Sequence, residues 1–276
     1  MAEGGKNRRL RSAKGKMTPM TSVTVEREGA VASVILPGPA LSLAVKEGLL
    51  KSLRAVAADD QVRAVVLTGT GRAFCVGQDL AEHAAALGKD PATSLDTVQE
   101  HYNPIVTELT TMPKPVVAGV NGTCVGAGLG FVLACDFVVM AQSAVLGTAF
   151  TGIGLTCDSG LSVTLPAAVG MPRARALLLR PATFSAEQAV AWGLLAELVP
   201  ADQVRAKATE LAAALAAGPT AAYAETKRLL VDGASRPFAD SLAAEGAAQR
   251  RLGTTADHGS AVRAFLAKEK PTFQGS

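Results

Sequence analysis

Two glycine-containing turns, Arg72–Leu80 (RAFCVGQDL) and Val120–Gly130 (VNGTCVGAGLG), lie about 40 residues apart, and each follows an apolar run of strand character. This pair restricts the fold more than any other feature of the chain. Glycine lets the backbone bring bare N–H groups close to a ligand, and a helix starting at Gly126 would add its positive dipole end at the same place. Brought together, the two turns make an oxyanion trap of backbone alone. Such a trap polarises a carbonyl without using a side chain.

A chain of 276 residues that is 49% hydrophobic and 18% charged can bury one large core with room for a helical annex. No run approaches the roughly 18 apolar residues that a membrane span requires, so no membrane association is expected. The net charge of +3 is misleading. Lys6, Arg8, Arg9, Arg11, Lys14 and Lys16 stand against Glu3 in the first 16 residues, and the remainder is slightly acidic. An acidic body argues against nucleic-acid binding by the fold. Residues 1–20 read as a disordered basic tail or, alternatively, as an arm for nucleic acid or an anionic surface; they lack the apolar core of a secretory signal. Cys75, Cys124, Cys135 and Cys157 form no C-x-x-C pair and have no histidine at ligand spacing, which fits reduced thiols in a cytoplasmic protein. His83, His101 and His258 are scattered, and no metal site is expected.

The order of elements predicts an α/β protein. Ser22–Leu36 reads as two strands about a Glu-Gly turn, followed by a helix over Leu43–Ala58 and a buried strand over Val62–Thr68. Leu80–Leu95 has no clear period and reads as a mobile loop or broken helix. A helix over Leu95–Thr111 ends before Pro113, and the strand Pro115–Val120 feeds the second glycine turn. A helix over Gly126–Ala134, a strand over Phe137–Ala141 and a short strand near Val145 follow, a strand-helix-strand rhythm that implies crossover connections. From Asp158 the chain reads as mostly helical, with Ala196–Val199 as a strand. Residues 21–199 are therefore expected to form the core and residues 200–276 a helical region whose alanine-rich faces suit oligomer packing.

Five segments carry a family resemblance over nearly the whole chain: RAFCVGQDL, MPKPVVAGVNGTCVGAGLGFVLACDFVVMA, FTGIGLTCDSGLSVTLPAAVGMPRARALLL, FSAEQAVAWGLLAELVP and SAVRAFLAKEKPTFQG. In this order and spacing the chain resembles the enoyl-CoA hydratase/isomerase (crotonase) superfamily, and within it most closely the phenylacetate-pathway isomerase type. The resemblance implies a spiral of β-β-α units with C-terminal helices, a homotrimer or dimer of trimers, and an acyl-CoA thioester substrate, with no cofactor beyond the coenzyme A of that substrate. It places the oxyanion donors at the backbone N–H of Gln78 and of Ala127. Coenzyme A would run beside Ala40, Leu41, Cys75, Val76 and Gly77, with Lys227 near the nucleotide, on the same or a neighbouring subunit. Gly130, Phe150 and Leu155 would shape the acyl pocket.

The hydratases of this superfamily activate water with two glutamates. Aligned on the shared Cys135-Asp136 dipeptide, those positions are Gly130 and Phe150, and neither moves a proton. Glycine is expected to leave a void there and phenylalanine to fill its position with a ring. One carboxylate remains in the region. Asp158 matches the acid/base aspartate of some isomerases of the superfamily and the nucleophilic aspartate of the aryl-CoA dehalogenases. Alternatively, Asp158 caps the helix that follows it. The two roles differ in titration: a cap holds the carboxyl low, whereas a position beside Phe150 pushes it up. The preferred activity is an isomerase in which Asp158 shuttles a proton beside a thioester enolate; a hydratase and a non-catalytic acyl-CoA-binding homologue are the alternatives.

Overall fold

The computed structural model describes residues 22–194 and 196–276; the basic segment expected to be a disordered tail lies outside them. The chain begins with the hairpin β1 (Thr24–Glu28) and β2 (Val31–Leu36), then β3 (Ala40–Leu41) and α1 (Leu43–Ala58). The second unit holds β4 (Ala64–Gly69), β5 (Ala73–Cys75), β6 (Gly77–Gln78), α2 (Leu80–Lys89) and α3 (Asn103–Thr111). The third is β7 (Val116–Val120), β8 (Thr123–Val125) and α4 (Ala127–Ala134), and the fourth runs from β9 (Phe137–Ala141) and β10 (Val145–Gly147) to α5 (Leu161–Val169). Then come α6 (Met171–Leu179), β11 (Phe184–Ser185), α7 (Ala186–Ala191), β12 (Glu197–Val199), α8 (Val204–Ala216), α9 (Thr220–Gly233), α10 (Phe238–Leu252) and α11 (Ala256–Ala267).

The units repeat one path. Each sends its first strand into a six-stranded sheet of order β1-β2-β4-β7-β9-β12, and β5, β8 and β10 then enter a second sheet of order β11-β10-β8-β5. Apart from the β1–β2 hairpin, the large sheet is parallel. Parallel strands are covered on both faces, so they read as continuous apolar runs rather than alternating ones. β2 and β7 are buried along their whole length, and β4 at all but its last residue. This is the β-β-α spiral that the resemblance implies.

Helix α1 is held by Ser42, whose side chain accepts from the Val45 N–H, and by Leu49 and Leu53, both fully buried. Burial of each such leucine contributes about 1.5–3 kcal/mol. Helix α4 is apolar all round and seven of its eight residues are buried, as expected of a helix inside a core.

Three expectations change. Leu80–Lys89 is a regular helix, because Asp79 caps it by accepting from the N–H groups of Ala81 and Glu82 at 2.9 and 3.0 Å. The helix expected from Leu95 begins instead with a π-turn, Val98–Tyr102; Pro104 has no N–H to offer the Glu100 carbonyl, and the register widens there. The sequence reading groups α8 with the C-terminal helices, yet Ala208, Ala212 and Ala216 are buried in the same core as the large sheet. Helices α9–α11 differ: they bury little of themselves and expose Leu230, Phe238, Phe265 and Leu266. No helix among the described residues is long and apolar enough to cross a membrane.

Candidate active site

The two glycine turns meet. Gly126, at φ +60° and ψ −127°, precedes α4, so the helix starts one residue later than its sequence suggests. Ala127 is therefore the first helical residue, and its N–H has no acceptor within the helix. Gly77 sits at φ +89°, and a Cβ built there would lie 3.8 Å from the Ala127 nitrogen. The second glycine of the helix explains how the turns come so close. A Cβ on Gly128 would stand 2.5 Å from the Cys75 carbonyl oxygen and 2.7 Å from the Cys75 Cβ, so only glycine lets α4 press against β5. β6 is fixed from its other side by β3, with Ala40 paired to Gly77 and Leu41 to Gln78.

Gln78 and Ala127 line a cavity of about 230 Å³. Its walls are largely apolar, and Leu95, Val98, Phe150 and Leu155 contribute to them. Besides Gln78, its polar members are His83, Thr97, Tyr102, Thr148 and Asp158. Asp158 is half-buried and is the one carboxylate on the wall. Burial pushes its carboxyl above the ordinary aspartate range, and the 2.7 Å hydrogen bond it accepts from Ser159 Oγ opposes the shift.

Asp158 does not cap a helix. Helix α5 is preceded by Gly160, with no side-chain cap, and the Asp158 carboxylate accepts from Ser159 instead. Gly130 explains how Asp158 is delivered. A Cβ there would fall within 2.6 Å of the Ser159 carbonyl oxygen and closer still to the Ser159 Cβ. No void is left at Gly130, contrary to expectation. The 158–160 loop occupies the space, with Ser159 held at φ +51° and buried. Gly130 thus lies behind the cavity wall, whereas Phe150 and Leu155 are on it.

The residues expected to touch coenzyme A divide. Val76 is exposed and lies with Gly77 on the cavity wall. Ala40 is partly buried beside Gly77. Leu41 and Cys75 are fully buried in the core, and burial pushes the Cys75 thiol up to about 12. Lys227 is committed elsewhere. It is buried, and its ammonium lies 2.6 Å from Asp136 Oδ2 and donates to the carbonyls of Leu109 and Lys114. Asp136 also accepts from the Val116 N–H at 2.7 Å. The pair fastens α9 to the edge of β7, and this ammonium is not free for a nucleotide phosphate.

Tyr102, Thr97 and His83 on the cavity wall, and Lys46 behind it, were not singled out from the sequence as site residues. Tyr102, on the π-turn, is 2% exposed and donates a short hydrogen bond to Gln78 Oε1. Burial, then the nearby Asp158 charge, raises its phenol well above the ordinary range. Lys46 on α1 reaches the same Gln78 oxygen at 3.3 Å and Thr97 Oγ1 at 2.7 Å. His83 lines the cavity, and its Nδ1 is buried without a hydrogen-bond partner. One signal for Lys46 was present: it stands three and seven residues before the core leucines Leu49 and Leu53, where an amphipathic helix carries apolar residues.

Comparison with known proteins places this arrangement in context. Residues 26–276 match the family model described as enoyl-CoA hydratase/isomerase. The chain is 42% identical over 237 residues to a Rhodobacter capsulatus protein assigned as an enoyl-CoA hydratase, covering 86% of this chain and 90% of that one. It is 38% identical over 228 residues to the 1,2-epoxyphenylacetyl-CoA isomerase of Escherichia coli, covering 82% and 87%. Its fold is similar to the crystal structure of a Mycobacterium abscessus protein assigned to the enoyl-CoA hydratase/isomerases, with a TM-score of 0.88 at 47% identity over 92% of this chain and all of that one.

Proposed function

The chain belongs to the enoyl-CoA hydratase/isomerase family, and we propose that it is an isomerase acting on an acyl-CoA thioester, with Asp158 as its acid/base. One observation carries the reading: Asp158 is the single carboxylate on the cavity wall, on the same cavity as the Gln78 and Ala127 backbone donors. Removing the proton from the carbon beside the thioester pushes charge onto the carbonyl oxygen. Two preorganised N–H donors there are worth about 2.7–4 kcal/mol each in the transition state. Asp158 takes that proton and returns it to another carbon, so the double bond moves and no atom is gained or lost. Its raised carboxyl pKa brings it nearer to that of a useful proton carrier.

The coenzyme A portion would enter past Ala40, Val76 and Gly77, with the acyl group against Phe150 and Leu155. A homotrimer or dimer of trimers is supported by the apolar side chains exposed on α9–α11, and sedimentation of the purified chain checks it.

The Rhodobacter relative assigned as a hydratase keeps a hydratase as the second reading. The absence of any carboxylate at Gly130 and Phe150 weighs against it. The test is incubation with 3-enoyl-, dienoyl- and crotonyl-CoA, followed by mass spectrometry and chromatography. Mass-neutral migration of the double bond, lost in Asp158→Asn, is expected. A water gain on crotonyl-CoA would establish the hydratase instead, and tight binding with no turnover on the panel would mark a non-catalytic binder.

A further inference from the structure

A buried cation ordinarily sits against a carboxylate, because leaving its charge unpaired in the interior costs several kcal/mol. Lys46 is 3% exposed, yet its ammonium donates only to neutral oxygens, Gln78 Oε1 and Thr97 Oγ1, and lies 5.7 Å from the centre of the Tyr102 ring. No ion pair to Lys46 forms among the described residues. Of the acidic groups whose charge it senses, two are already engaged. Glu82 accepts from the Leu43 N–H at 2.7 Å, and Asp79 caps α2. Glu100 and Glu47 act more weakly than these two, and burial outweighs all four in lowering the lysine's pKa. Thr97 in turn contacts His101 Nδ1 at 3.2 Å.

The position of this charge is informative. Gln78 supplies one of the two N–H groups assigned to the thioester oxygen, and its side-chain oxygen is shared by Lys46 and Tyr102. Both lone pairs of that oxygen are used, so the side chain has one orientation, and the ammonium is held one glutamine away from the oxyanion position. We propose that Lys46 is the electrostatic backing of the oxyanion hole, a positioning residue whose unpaired charge is balanced when negative charge develops on the thioester oxygen. The resting enzyme bears the cost of the buried cation, and the enolate relieves it. An interaction stronger in the transition state than in the ground state raises kcat rather than lowering KM.

The proposal rests on the reading of Gln78 and Ala127 as thioester donors, and the test separates the two. The carbonyl band of hexanoyl-CoA labelled with carbon-13 at the thioester carbon is recorded by difference infrared spectroscopy, free and bound. The proteins compared are the wild type and the Lys46→Met, Lys46→Gln and Lys46→Arg variants, each checked for folding by circular dichroism. Binding to the wild type should shift the band to lower frequency. In the Met and Gln variants at least half of that shift should be lost, and Arg should recover most of it. On substrates that turn over, kcat should fall about ten- to hundredfold in Met and Gln with KM within about threefold. If the Met variant does not fold, the Gln and Arg pair still decides the matter, because both are polar and they differ in charge. Gln matching Arg in band position and kcat would overturn the role of Lys46. No shift in the wild type would overturn the donor reading itself, whatever Lys46 does.

Discussion

The cavity has two walls built on opposite principles. One is backbone: Gly77, Gln78, Gly126 and Ala127, held where they are because Gly128 lets α4 press onto Cys75. The other is side chains: Asp158 and Tyr102 from the 158–160 loop and the π-turn, with Lys46 of α1 behind them against Gln78 and Thr97. Steric exclusion fixes the first, so it breaks when an atom is added. Burial and charge tune the second, so it changes when a charge is removed. The contrast teaches that the donors of such a site and its proton carrier are fixed by different physical means and can be altered separately.

The largest expected effect falls on the side-chain wall. Asp158→Asn should lower the rate of double-bond migration by about 10²–10⁴-fold, the usual range for an acid/base group, while acyl-CoA affinity by calorimetry stays near the wild-type value. Parallel losses in binding and rate would blur the distinction between the walls. On the backbone wall, Gly128→Val adds atoms where even a Cβ meets the Cys75 carbonyl at 2.5 Å. It should cost about 3 kcal/mol by chemical denaturation and abolish binding together with turnover. A wild-type midpoint would show that α4 can retreat from β5.

Lys227→Met tests a residue assigned to neither wall. Leaving the part-exposed Asp136 carboxylate without its partner should cost about 1.5–3 kcal/mol, with acyl-CoA affinity of the folded protein unchanged. A selective loss of affinity would return Lys227 to the nucleotide.

The smallest effects concern pH. Asp158 must be ionised to accept a proton, and burial raises its pKa, so the acid limb of kcat should lie above the ordinary aspartate value of 3.8. A group whose native pKa is raised stabilises the fold below its unfolded pKa and loses that contribution as pH rises through the native one. Asp158→Asn should therefore raise the thermal midpoint slightly at neutral pH while abolishing the rate. An unchanged or lower midpoint would mean that the ionised carboxylate is well solvated in the native protein.

Much of the fold was legible along the chain. The runs that became β2, β4, β7 and β9 are continuous and apolar because a parallel sheet is covered on both faces, and α1 shows its leucines at helical spacing. The two- and three-residue strands β3, β5, β6 and β8 were not legible, since so short a segment has no period and its glycines read as turns. Helix α2 was missed because it buries none of its residues and depends on the Asp79 cap. Asp158 came from resemblance, and its neighbours give no sign that it faces a cavity.

By itself, the sequence determined the backbone wall. A position that must have no side chain can hold only glycine, and that requirement is written in the residue type. Only the tertiary structure decided the other wall. Lys46, Tyr102 and Asp158 come from the first, second and fourth units of the spiral, and a lysine among core leucines or a tyrosine before a proline acquires its role from what the fold brings against it. The same fold reversed the reading of Gly130, expected as a void and found as the space that Ser159 fills behind the cavity wall while Asp158 lines it. Local steric rules act on one residue at a time and can be read along the chain. Charge and burial depend on partners distant along the chain, 24, 32 and 51 residues apart for the contacts among Gln78, Tyr102, Lys46 and Thr97, and packing alone chooses them.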